Sequence, residues 1–220
     1  MNTQQTTQQE ASAPPNGKRR LIEAALRLAA RDNTTLSAVG LREMAREAGL
    51  NHNTFYRHFR NAEDLVAAAA EEIATQLMMG LKAVRQRAER HADATVGAVE
   101  YFLDFVEANP DVIIVGTREL HSLASPMRPV LQNVLETIAR ESVEQIASQN
   151  LVKLESREQL FQVSLDITRY MFVHGLDLIE RPQDRKAIAA KLVAHIRRQF
   201  LGSIAVQQLE THKQLDAIDT

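Results

Sequence analysis

The chain has 220 residues, 45% of them apolar and 25% charged, with no cysteine and a formal net charge of −2. This is the make-up of a soluble protein with a real core, and it excludes disulfides and thiolate metal sites. There is no apolar run of about 18 residues and no signal-peptide pattern, so neither membrane insertion nor export is expected and the expected compartment is the cytoplasm. The charge is unevenly spread. Residues 1–60 hold nine Lys and Arg against five Asp and Glu, and the other 160 hold 17 against 23. A basic front on an acidic body is the pattern of a segment that meets a polyanion.

Residues 1–17 are rich in Gln and Thr, end in Ala13-Pro14-Pro15-Asn16-Gly17 and lack apolar periodicity, so a disordered arm is expected. Beyond them helical spacing prevails and no alternating strand pattern appears. The expected fold is all-α, with about nine helices. A first helix over 18–31 carries a stripe of Leu21, Ala24, Ala25, Leu28 and Ala29. A short one over 41–48 turns Leu41, Met44 and Ala45 inward, and Gly49 suits the left-handed position after its end. Asn51 can cap a third helix through residue 58. Asn61 can cap a long fourth one to about 87, with Glu63 and Asp64 at its positive end and Gly80 as a bend. Further helices are expected over 92–108, 110–120, 126–148, 156–180 and 183–209, with a frayed tail from 210. Domain boundaries are expected at 18–61 and 62–209, with 210–220 as a flexible tail.

Two short helices joined by a Gly-centred turn over 41–58 form a helix-turn-helix. The outer face of the third helix carries His52, Asn53, Thr54, Tyr56, Arg57 and His58, rich in donors and without acids. Asn can bond adenine in two places, Thr can touch a thymine methyl, and Tyr and His can bond phosphate oxygens. Lys18, Arg19 and Arg20 sit where the helix dipole disfavours cations, which a phosphate across that end would explain. The alternatives are basic residues that only solubilise an arm, and a helical hairpin without DNA.

The stretch Gly49-Leu50, Thr54-Phe55-Tyr56-Arg57-His58-Phe59 and Glu63-Asp64-Leu65 resembles the TetR family of bacterial one-component regulators, from about residue 18 to 65. The resemblance implies three N-terminal DNA-binding helices and a larger helical body that binds a small molecule and dimerises. By position, it implies that Arg42 touches base or phosphate, that Asn51, His52, Asn53 and Thr54 enter the major groove, and that Tyr56 and His58 hold phosphates. Two positions depart from the pattern. Ala62 stands where many relatives have a phosphate-binding Lys, for which Arg60 can substitute. Val39-Gly40 replaces a common Thr, for which Thr35 or Ser37 can stand in. Within the family the sequence is similar to acyl-CoA-responsive regulators of unsaturated fatty-acid synthesis. That similarity lies in Leu41-Arg42-Glu43, the 45–49 and 55–60 segments, Phe102-Leu103-Asp104-Phe105-Val106, Asn109-Pro110 and Arg118-Glu119.

In the body, the helices at 156–180 and 183–209 carry stripes of Leu160, Phe161, Ile167, Met171 and Leu178, and of Ile188, Leu192, Ile196, Phe200 and Ile204. Either these pair with a second copy in a four-helix interface, or they bury within one subunit. A homodimer is expected, because one helix-turn-helix reads few bases and two-fold pairing suits a palindromic operator in double-stranded DNA. Met78, Met79, Phe102, Phe105, Ile113, Ile114, Met171 and His174 are candidates to line an apolar effector pocket, with plain core or a hydrogen-bonded buried His as the alternative. No resident cofactor is expected; the effector would be an acyl-CoA or another apolar molecule. Since no nucleophile elbow, phosphate loop or His-Glu-x-x-His pattern occurs, catalysis is not expected. The reading is a ligand-responsive repressor of lipid genes. Its alternatives are a repressor of an efflux or catabolic operon and a helical adaptor.

Overall fold

A computed structural model describes residues 17–88, 91–148 and 156–218, and side chains in all of these except 91–93 and 210–218. Of the arm expected over 1–17, residues 1–16 lie outside the described residues, and Gly17 instead opens the first helix. Those described form nine α-helices and no strand: α1 (Gly17–Arg31), α2 (Leu41–Glu47), α3 (His52–His58), α4 (Ala62–Arg87), α5 (His91–Ala108), α6 (Pro110–His121), α7 (Arg128–Ser148), α8 (Arg157–Glu180) and α9 (Arg185–Ile218). Short 3₁₀ turns at Leu36–Ala38 and Pro182–Asp184 precede α2 and α9.

Local chemistry sets the helix boundaries. The Asn51 carboxamide oxygen accepts the Asn53 N–H at 2.9 Å, and Asn61 accepts the Asp64 N–H at 2.8 Å, so both cap as their residue type allows. Ser156 does the same for α8. Pro110 opens α6, where its missing N–H costs nothing. Contrary to the frayed tail read from the sequence, α9 continues past residue 209 to Ile218. The segment Glu210-Thr211-His212-Lys213-Gln214-Leu215-Asp216-Ala217-Ile218 holds no Gly or Pro and is rich in good helix formers.

Two large hydrophobic clusters organise the described residues, beside a small third one of Leu135, Ala139 and Leu165. The front one joins Leu21, Ala25, Leu28, Met44, Ala45, Phe55 and Phe59 to Leu65, Val66 and Ala69 of α4, and takes Val115 and Met127 from the body. The larger joins α4 from Leu77 onward to α5–α9, with Phe102, Leu103, Val106, Ile113, Leu178 and Leu192 at its centre. A boundary at 61 therefore falls short of the front core, which includes the first two turns of α4. That helix is one rod, about 39 Å long at 1.5 Å per residue, shared by both clusters. Gly80 does not interrupt it. A Cβ there would lie 1.9 Å from the Tyr101 ring, so the residue is small to let α5 approach.

The two stripes expected to pair with a second copy mostly face inward. Leu160, Ile167, Leu178, Ile188, Leu192, Ile196 and Phe200 are all buried within the subunit. Other apolar side chains of the same helices, Val173 on α8 and Leu201, Val206 and Leu209 on α9, are exposed instead.

Candidate nucleic-acid interface and effector cavity

The helix-turn-helix is built on the turn between α2 and α3. Gly49 has φ +63°, a conformation that glycine adopts without strain. Its N–H donates to the Arg46 carbonyl at 2.9 Å, while the Leu50 N–H donates to the Ala45 carbonyl at 2.8 Å, closing the end of α2. Ala45 and Met44 are buried at the crossing with α1. Phe55 is fully buried and packs on Phe59 at 5.6 Å between ring centroids, which fixes the rotation of α3 about its axis. The opposite face is thereby committed outward. Asn53, Tyr56, Arg57 and His58 are exposed, and His52 and Thr54 half-buried. His52 meets Tyr56 edge-on at 5.4 Å, and its Nδ1 is buried without a partner among the described residues.

The start of α1 adjoins this face. A side chain at Gly17 would come within 2.9 Å of His58 Nε2 and 3.6 Å of the Thr54 methyl. Lys18, Arg19 and Arg20 are thus carried beside α3. They are not equivalent: Arg19 pairs with Glu23 at 3.0 Å, and Arg20 Nη2 donates to the Gly49 carbonyl at 3.4 Å. The side chains of Lys18, Arg42 and Arg57 have no hydrogen bond or ion pair among the described residues. Three other cations of the basic front, Arg27, Arg31 and Arg46, pair with Asp32, Glu43 and Glu47 along α1 and α2. The segmental charge excess thus narrows to the edge where α1 begins and α3 faces out.

Two sequence expectations change here. Asn51 holds its oxygen on the cap, so its NH₂ is the group left free to donate to a base or phosphate. Arg60, the expected substitute for a Lys at 62, is forked onto Asp64, with Nε and Nη2 at 2.6 and 2.8 Å from its two oxygens. That pairing holds the Asp64 carboxyl below its usual range. The pair is exposed, so it is worth little and a phosphate can compete for Arg60.

Sequence reading assigned no role to the links between this unit and the body. Arg118 on α6 reaches back with Nη1 to the carbonyls of Ala29 at 3.0 Å and Thr34 at 2.6 Å. The adjacent Glu119 is buried; it accepts the Leu36 N–H at 2.8 Å and the Ser125 hydroxyl. Adjacent opposite charges inside an otherwise apolar helix were the available signal.

The body holds a cavity of about 80 Å³ lined by residues that include Leu77, Leu81, Arg85, Phe102, Ser164 and Met171. A second, of about 60 Å³, lies toward the front unit, against Leu26, Leu36 and Glu119. Leu77, Ile138 and Phe172 line both. Of the pocket candidates, Phe102 and Met171 line the first. Phe105 and Ile113 are buried core, and they and the half-buried Ile114 line neither cavity. Met78 borders a separate outer groove, and Met79 is 68% exposed because its helix turns it to solvent. His174 is also outside. Its Nδ1 lies 2.6 Å from Asp177, which holds that carboxyl low, and its ring packs on Tyr170, itself stacked on His195 at 3.5 Å between α8 and α9. Arg85 was not anticipated, although it continues the Leu77, Leu81 register by one turn.

Among the described residues no group of His, Asp and Glu could hold a metal, and no helix is long and apolar enough to cross a membrane. Residues 21–69 match the family model of the bacterial regulatory proteins of the tetR family, which are regulators and not enzymes. The whole fold resembles a fatty acid degradation regulator of Bacillus halodurans, with TM-score 0.65, 15% identity, and coverage of 83% of this chain and 97% of that one. It also resembles a tetR-family transcriptional regulator of Streptomyces coelicolor, with TM-score 0.66, 18% identity, and coverage of 89% and 85%. A transcriptional regulator of Rhodococcus sp. RHA1 gives TM-score 0.64, 20% identity, and coverage of 84% and 96%.

Proposed function

We propose that this chain, with a TetR-family helix-turn-helix DNA-binding domain at its front, is a repressor that grips a palindromic operator as a homodimer and is switched by a small apolar effector. The observation that carries this reading is the outer face of α3, where Asn53, Thr54, Tyr56, Arg57 and His58 stand together beside the cationic start of α1. Asn53 and Thr54 read bases. Tyr56, His58, Lys18 and Arg42 hold phosphates, and His52, Asn51 through its NH₂, and Arg60 once released from Asp64 complete the contact. Such a protein works where the chromosome is, in the cytoplasm.

The outer surfaces of α8 and α9 are the proposed dimer face, supported by exposed Val173, Leu201, Val206 and Leu209. The effector acts through its differential affinity for two spacings of the paired recognition helices. The shared rod α4 and the Arg118 and Glu119 contacts are the mechanical links between cavity and α3. Control of fatty-acid genes by an acyl-type effector is the preferred assignment, supported by the apolar cavity walls and by the likeness to the Bacillus halodurans regulator.

A mobility-shift titration on the DNA flanking the protein's own gene tests this. Tyr56→Phe is expected to weaken binding across sequences, whereas Asn53→Ala relaxes the choice at one base. Unchanged affinity and unchanged choice in both variants would remove α3 as the reading element. Binding insensitive to salt would favour a helical adaptor.

A further inference from the structure

Arg85 lines the first cavity, and no acid among the described residues answers it. Its Nη1 donates to the Gln145 side-chain oxygen at 2.7 Å and its Nη2 to the Ser142 hydroxyl at 3.1 Å, both neutral acceptors. No carboxylate lies within ion-pair distance of it among the described residues. Burial pushes its pKa down to about 10, which still leaves it charged at neutral pH. Arg85 is half-buried, and a cation partly withdrawn from water without a counter-charge is costly unless something answers it. Guanidinium forks match the two oxygens of a carboxylate.

A second polar group in the same wall is unanswered. Ser164 is buried, lines the cavity, and its hydroxyl has no hydrogen-bond partner among the described residues. The remaining wall is dominated by apolar side chains such as Leu77, Leu81, Phe102, Ile138 and Met171. One cation, one free hydroxyl and an apolar bed describe a receptor for a molecule with an anionic head and a hydrocarbon body.

We propose that this cavity binds an apolar carboxylic acid as its anion, with Arg85 as counter-ion to the head group. This deepens the reading of the chain as an effector-controlled regulator and rests on it only for the consequence at DNA. At about 80 Å³ the chamber is smaller than the roughly 150 Å³ that admits benzene in an engineered cavity. A longer chain therefore has to displace one of Leu77, Ile138 and Phe172, which border both cavities, and run on into the second one.

The test is calorimetric titration of the full-length protein, without DNA, with octanoate, 1-octanol and octanoyl-CoA, on the wild type, Arg85→Met and Arg85→Lys. Octanoate is expected to bind the wild type at least ~10-fold more tightly than the alcohol of equal length, and Arg85→Met to lose at least that factor for octanoate alone. Arg85→Lys, which keeps the charge, retains part of the affinity and serves if the methionine variant does not fold. The proposal is overturned by equal binding of octanol and octanoate, by octanoate affinity unchanged in Arg85→Met, by binding of the CoA thioester alone, or by no binding at millimolar concentration. Because DNA is absent, failure here leaves a measured operator footprint standing, and a missing footprint leaves this result standing.

Discussion

The buried carboxylate of Glu119 accepts the backbone N–H of Leu36 at 2.8 Å, joining α6 of the body to the turn that leads into α2. Ser125 donates to its other oxygen and presents its own oxygen to the Met127 N–H at 3.0 Å, so the acid is answered on both sides. Glu119→Ala strands the Leu36 N–H, a loss of about 1–3 kcal/mol. In a chain of this size each kcal/mol is worth about 2–4 °C in Tm. Glu119→Gln keeps an acceptor and should cost less. Thermal unfolding of the two variants checks the order, and an alanine variant as stable as the wild type would refute the link.

Asn51 has two separable tasks. Asn51→Ser preserves a cap oxygen and removes only the NH₂, whereas Asn51→Ala removes both and should cost about 0.5–2 kcal/mol of stability. If Asn51 also touches DNA, both variants weaken operator binding while only the alanine variant melts earlier. Parallel measurement of Tm and gel-shift affinity separates the roles.

Gly80→Ala places a methyl group 1.9 Å from the Tyr101 ring, whose hydroxyl donates to the Gln76 carbonyl at 3.1 Å. Overpacking of this kind costs about 1–3 kcal/mol. Adding Tyr101→Leu should restore part of the loss. A helix bend at Gly80 would leave the double variant no better than the single one, as read by denaturant unfolding.

His195 is held below its ordinary pKa of 6.5 by burial, and further by Arg198 and His174. Tyr170 stacks on it, and Lys191 and Asp177 lie at the neighbouring His174. The fold favours the neutral ring, so the unfolded chain binds more protons below pH 6.5. Stability present above that pH is therefore lost as pH falls from 6.5 through the lower folded value. Asp177, also lowered, adds a loss in the same direction only in the carboxylate range. Tm measured from pH 7.5 to 5.0 should drop, and His195→Gln should flatten that part of the curve. An identical slope in the variant would exclude His195 as the source.

The helices and the outward face of α3 were legible because they rest on local rules. The Gly49 turn, the Asn51 and Asn61 caps and the inward Phe55 each follow from a residue and its near neighbours. Features that depend on partners far along the chain were hidden. Helical spacing gave the α8 and α9 stripes but not the side they face, and those stripes turn into the subunit. Arg118 and Glu119 act on residues more than 80 positions away. For His174, apolar spacing left a pocket residue and a hydrogen-bonded His both open, and its pairing with Asp177 decides for the second. Arg60 read as a free cation because its pairing with Asp64 depends on how the chain enters α4.

Selection of bound sequences from a random pool of duplex DNA tests the reading face most directly. The purified wild-type protein should enrich one two-fold symmetric sequence, with half-site centres ~34–36 Å apart or a multiple of that spacing, and affinity should fall steeply with salt. A pool that stays random after repeated rounds at modest salt, with binding no better than that of Tyr56→Phe, would contradict DNA reading by α3.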